Sequence, residues 1–93
     1  MRVNLGRLLA TPAVLETVAQ GRIIEAVERH ASGDWGDVCT SDKGRNNWAA
    51  KNGARLQSAY HAKAKDDPER EVKFWIITEA DRSATTVLLP SAY

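Results

Sequence analysis

The 93 residues are enough for one domain, 1–93, and too few for two. A hydrophobic fraction of 43% beside a charged fraction of 27% is that of a globular chain, and it excludes a chain kept unfolded by low hydrophobicity and high charge. A formal net charge of +1 supplies neither the basic excess of a nucleic-acid binder nor the acidic excess of a DNA mimic.

No run of about 18 apolar residues is present, so no membrane-spanning helix is expected. Arg2, Asn4 and Arg7 interrupt any apolar stretch of signal-peptide length. Cys39 is the single cysteine and has no partner for an internal disulfide. That fits a reducing compartment, and a cytoplasmic location is expected.

Residues 1–10 read as a short strand with Val3 and Leu5 facing inward; the alternative is a helical turn through Leu5, Leu8 and Leu9. Thr11-Pro12 starts a helix, because threonine caps free N–H groups and proline fits the first helical position. Val14, Leu15 and Val18 follow at helical spacing, and Gly21 is the expected stop. A second helix spans 23–31, with Ile23, Ile24 and Val27 as its apolar stripe and Glu25, Glu28 and Arg29 in water. Residues 32–34 end it, and Trp35-Gly36-Asp37 forms a loop.

A third helix is expected over 41–52, closed by Gly53. Its apolar stripe is poor. Trp48 with Ala49 is most of it, so Trp48 is expected to be buried against the sheet. From Arg55 the period becomes two: Leu56, Ser58, Tyr60 and Ala62 alternate with Arg55, Gln57, Ala59 and His61. The charged stretch 63–71, with Pro68, reads as a solvated loop. A strong strand follows over 72–79, then a turn at 80–83 and a strand over 85–89 that Pro90 stops. The expected fold is α+β, with two or three N-terminal helices packed on a three-stranded antiparallel meander sheet.

Few residues carry recognisable chemistry. His30, Cys39 and His61 are far apart and lack ligand spacing, and they read as surface histidines and a half-buried thiol. Cys39 with His61 as a nucleophile pair is the sharper alternative. The six glycines fit no phosphate-cradling pattern. Glu79 and Asp81, beside Arg82, either hold a divalent ion or form a turn. No catalytic, cofactor or metal residue is therefore expected. Trp75 points opposite to Phe74 and Ile76 on the pleat, so it is either shielded by the N-terminal segment or part of a contact surface. Arg82 is the one cation of the hairpin turn, and it either meets a partner or pairs with Glu79 or Asp81. The expected partner-binding residues are Trp75, Asp81 and Arg82.

The segments LGRLLATP (5–12), SGDWGDV (32–38), GARLQSAYH (53–61) and FWIITEADRSATTVLLPSAY (74–93) resemble a family of bacterial proteins of about this length. Its members are met on plasmids and other mobile elements and have no established function. They often carry the label "type I restriction endonuclease subunit M" or "plasmid-related protein". The similarity covers nearly the whole chain, and the last segment is the most specific. Residues 63–71 depart from it, being longer and more charged. A methyltransferase subunit would need a glycine-rich cofactor loop and an Asn-Pro-Pro-aromatic motif, and this chain has neither.

The resemblance implies a small, non-enzymatic protein-binding module of a mobile element. Its sharpest form is an anti-defence role, in which the protein inhibits a CRISPR or restriction complex by direct contact. The alternatives are a metal-dependent hydrolase or nuclease accessory with a site near Glu79, Asp81 and Arg82, or a nucleic-acid-binding regulator. The expected partner is a protein, with nucleic acid and membrane not expected.

Overall fold

The computed structural model describes residues 2–93; Met1, in the stretch expected to hold a first strand, lies outside them. The elements in order are β1 (Arg7–Ala10), α1 (Pro12–Thr17), α2 (Gln20–Ala31), α3 (Thr40–Asn52), β2 (Leu56–Ala64), β3 (Asp67–Thr78) and β4 (Ala84–Leu88), and the 3₁₀ turn Pro90–Ala92 follows. The class is α+β. No helix among the described residues is long and apolar enough to cross a membrane.

The sheet has four strands in the order β1-β4-β3-β2 and is mixed, which corrects the expected three-stranded meander. β2, β3 and β4 do pair antiparallel through short connections. β1 adds to β4 in parallel, from Arg7 opposite Ala84 to Ala10 opposite Val87. A parallel partner needs a long crossover, and the three helices and the β2–β3 hairpin supply it.

Thr11 caps α1 as its sequence predicts, with Oγ1 accepting the Val14 N–H at 3.4 Å. The helix stops at Thr17 rather than at Gly21, which lies inside α2. The reason is tertiary: Val18 turns extended and bridges Ala64 on β2, while the Lys65 N–H reaches the Thr17 carbonyl at 2.8 Å. In α2 the buried residues are Ile23, Ala26, Val27, His30 and Ala31, a full helical stripe, and Ile24 is exposed.

The segment 63–71 is not a loop. β2 runs on to Ala64 and β3 begins at Asp67, so only Lys65 and Asp66 turn the chain. Pro68 is tolerated because residues 68–70 have no ladder partner beside the register shift at Lys63/Ala64.

One sheet face carries Tyr60, Ala62, Phe74, Ile76 and Val87 against Val14, Val18, Ile23, Ala26 and Val27 of the helices. A smaller cluster of Val3, Trp35, Ala49 and Leu56 sits where α3 meets the start of β2. The other face holds Ala59, Ile77 and Leu88, all buried. The C-terminal turn covers this face, not the N-terminal segment. There Tyr93 meets Trp75 edge-on at 5.6 Å between ring centroids and accepts a hydrogen bond from Arg55 Nη1 at 2.6 Å.

The outer edge of β2 is occupied at three places, which interrupts it as a template for strand addition. Val18 bridges Ala64, Gly36 bridges Ala59, and the Asn46 side chain pairs with the Gln57 backbone in both directions, at 2.8 and 3.2 Å. Gly36 has φ +72°, and a Cβ there would overlap the Ala59 carbonyl oxygen and the Tyr60 ring. Gly36→Ala should therefore cost about 2 kcal/mol or more, since the left-handed conformation alone costs a non-glycine residue about 1–2 kcal/mol. Urea denaturation checks this, and an unchanged midpoint would mean that the 35–37 segment does not depend on the bridge.

Candidate protein-binding face

The SGDWGDV segment is built into the frame. Arg29 grips Asp34 with two hydrogen bonds at 2.8 and 3.2 Å, and its guanidinium lies 4.9 Å from the Tyr60 ring centroid. The hydrogen bond from Arg29 holds the Asp34 carboxyl below its ordinary range. The Tyr60 hydroxyl donates to the Asp34 carbonyl at 2.6 Å, and burial pushes its pKa up to about 12. Trp35 is buried and donates its indole N–H to Asn47 Oδ1 of α3 at 2.9 Å.

His30, read from the sequence as a surface histidine, is completely buried. It belongs to a chain of hydroxyls whose direction can be worked out. Thr85 Oγ1 donates to the Leu5 carbonyl at 2.7 Å, so Thr78 Oγ1 must donate to Thr85, also at 2.7 Å. Thr78 then accepts from His30 Nε2–H at 2.8 Å, and Ser58 Oγ donates to Nδ1 at 2.5 Å. His30 is therefore the neutral Nε2–H tautomer. Burial first, and the Arg82 charge second, push its pKa down to about 4.

The other expected chemistry is dispersed. His61 is on the surface and spends both ring nitrogens on carboxylates, on Asp37 at 2.7 Å and Glu71 at 3.3 Å. Cys39 is exposed and contacts Ser41 Oγ at 3.2 Å. The described residues contain no cluster of His, Cys, Asp and Glu that could hold a metal ion.

The three residues expected to bind a partner have different fates. Trp75 is half-buried under Tyr93. Asp81 is exposed, and its Oδ1 accepts the Ser83 N–H at 3.0 Å. Arg82 turns inward instead of pairing with Glu79 or Asp81. Its Nη1 donates to the carbonyls of Ala54, Glu79 and Ala80 at 2.7, 3.1 and 3.2 Å, and its Nη2 to Ala49 at 2.9 Å. A cation on these carbonyls closes the C-terminus of α3 and complements the helix dipole.

Helix α3 is the element that these contacts position. Its inward residues are Asn46 and Ala49, not Trp48. Asn46 is fastened to β2, Asn47 to Trp35, and its last turn to Arg82; Gly53 ends it with φ +71°. Trp48 therefore stands outward, 60% exposed, which corrects its expected burial. A signal for this was in the sequence. The residues three and four away from Trp48 are Gly44, Arg45, Lys51 and Asn52, so the tryptophan belongs to no apolar stripe.

Between α3 and the start of β2 lies a cleft of about 310 Å³ lined by Asp42, Arg45, Asn46, Arg55 and Gln57. Arg45 is one helical turn from Trp48 and stands between the exposed indole and the cleft, whose other α3 residues, Asp42 and Asn46, lie further round toward the inner side. Sequence reading did not single out Arg45 or Arg55, which are 10 residues apart and meet only across the helix–strand junction. No family model, no curated protein and no solved structure matches the chain.

Proposed function

We propose that this protein is a small, non-enzymatic, cytoplasmic protein-binding module that docks its partner through the outer face of α3, with Trp48 as anchor. One observation carries the reading: an exposed tryptophan stands on a helix locked by Asn46, Asn47 and Arg82, although that helix has little apolar surface of its own. Tryptophan and arginine are the residues that most often carry interface energy. A fixed helix presents them with little ordering cost on binding.

Further support comes from where the titratable groups are spent. His30 is sealed inside the core, His61 is taken up by two carboxylates, and Arg82 is taken up by carbonyls. The docking face differs from the set Trp75, Asp81 and Arg82 because Trp75 and Arg82 are committed inside the fold. The resemblance to mobile-element proteins supports a defence complex of the host, CRISPR or restriction, as the partner.

The test is Trp48→Ala. The expected result is an unfolding free energy within about 0.5 kcal/mol of wild type, as for other exposed positions. Capture of the partner, recovered from bacterial lysate by photo-cross-linking from the α3 face, should fall by more than about tenfold, as for an interface hot spot. Capture unchanged by the substitution would overturn the proposed docking face.

A further inference from the structure

We infer that the cleft between α3 and the start of β2 is a carboxylate-binding site, in which Arg45 and Arg55 clamp an acidic side chain of the partner segment that Trp48 anchors. The inference rests on the docking reading for the source of that carboxylate, and it adds the chemistry that the partner must carry.

The two arginines differ in how they are held. Arg55 is preset: Nη1 donates to the Tyr93 hydroxyl, the Tyr93 ring centroid lies 5.2 Å from its guanidinium, and Glu79 is 3.9 Å away. Arg45 is available: its side chain is 77% exposed, and the Asp42 carboxylate at 4.0 Å is its nearest ion-pair partner among the described residues. At that separation its N–H donors lack a proper hydrogen bond. The floor between them is fixed, because Asn46 spends its amide on the Gln57 backbone.

Unspent donors select the occupant. Arg45 and Arg55 are opposed by Asp42 in the lining and by Glu79 beside Arg55, but at 4.0 and 3.9 Å neither ion pair is a hydrogen bond, so both guanidinium groups keep N–H donors for an incoming anion. The planar guanidinium fork matches a carboxylate with two parallel hydrogen bonds. A nucleic-acid strand would bring a row of phosphates past Asp42 and Glu79, on a chain whose net charge is only +1. Such strands are bound by a basic excess, so an acidic peptide fits better. Trp48, one turn from Arg45, offers the apolar surface for a hydrophobic neighbour of the acidic residue.

The experiment is an NMR titration of the full chain with three probes: a blocked leucine–glutamate–leucine tripeptide amide, its glutamine counterpart, and a short oligothymidylate. The glutamate peptide should shift the Arg45 and Arg55 Nε–Hε signals and the Trp48 indole signal saturably. It should bind at least about tenfold more tightly than the glutamine peptide, because a charge-assisted pair replaces neutral hydrogen bonds. Arg45→Gln should abolish the difference between the two peptides. Since Arg45 is outside the core, its melting temperature should stay that of wild type.

Equal binding of the two peptides, no shift at either arginine, or tighter binding of the oligothymidylate would each overturn the assignment. The two proposals fail separately. If Trp48→Ala loses the partner while Arg45→Gln keeps it, the clamp is refuted and the docking face stands. If the glutamate peptide fills the cleft while Trp48→Ala keeps the partner, the carboxylate site stands and the docking face falls.

Discussion

Between pH 6.5 and pH 4 the protein should lose about 3 kcal/mol of unfolding free energy through one residue, His30. The imidazole is enclosed by Ser58, Thr78 and Trp35, whose ring centroid lies 5.5 Å away edge-on. In the folded chain its pKa is about 4, against about 6.5 when the chain unfolds. Between those values the unfolded state binds a proton that the folded state refuses, so acid favours unfolding. The contribution is fully present above pH 6.5 and is lost as the pH falls toward 4. Asp34, Asp37 and Asp81 also have depressed values, each through a hydrogen bond, from Arg29, His61 and Ser83 respectively. Their contributions begin to fade as the pH nears their ordinary carboxylate value of 3.8, so they overlap the His30 window only at its acid end, below about pH 5.

Urea denaturation across this range, for wild type and His30→Gln, isolates the effect. Glutamine has a donor and an acceptor for Thr78 and Ser58 but cannot take the proton. A slope between about pH 5 and 6.5 that survives in His30→Gln would refute the sealed neutral imidazole. His30→Ala is the harsher change. It leaves a cavity and strips Ser58 and Thr78 of their partner, which together should cost about 3–5 kcal/mol at neutral pH. For a domain of this size that is a large share of the total stability.

Arg82→Ala should cost about 3 kcal/mol, far more than an exposed ion pair, which is worth about 0–1 kcal/mol. The difference lies in the partners, which are four backbone carbonyls rather than a solvated carboxylate. Removing the guanidinium strips the Ala54 carbonyl of its side-chain donor and takes the cation from the end of α3, where the Ala49 carbonyl keeps only the Gly53 and Ala54 N–H groups. Arg82 also has φ +63°, a conformation that costs a non-glycine residue about 1–2 kcal/mol. Arg82→Gly should therefore be less damaging than Arg82→Ala by about 1 kcal/mol, although both lose the same hydrogen bonds. Lysine should not rescue, because one ammonium cannot reproduce the planar fork over four carbonyls. Thermal and urea unfolding of the three variants decide the matter. An alanine variant as stable as wild type would show that the carbonyls are satisfied without Arg82.

Local pattern along the chain set much of the frame. Thr11-Pro12 dictates where α1 starts, Gly53 where α3 stops, and the alternation from Leu56 to Ala62 which side chains share a sheet face. These are short-range effects, set by a cap, a left-handed glycine and the pleat, and they need no distant partner. The helix-spaced set Ile23, Ala26, Val27, His30 and Ala31 was also present, but His30 reads as polar until Ser58 and Thr78 arrive to satisfy it. What only the tertiary structure decided depends on contacts between residues far apart in the chain. β1 joins β4 across more than 70 residues. Arg82 reaches carbonyls 28 and 33 positions earlier. The charged stretch 63–71 becomes a hairpin because its backbone pairs, whatever its side chains prefer. Trp48 faces outward because Asn46 and Ala49 take the inner side of α3. Periodicity tells which residues lie on one face; which face becomes covered is settled by the elements that arrive to cover it.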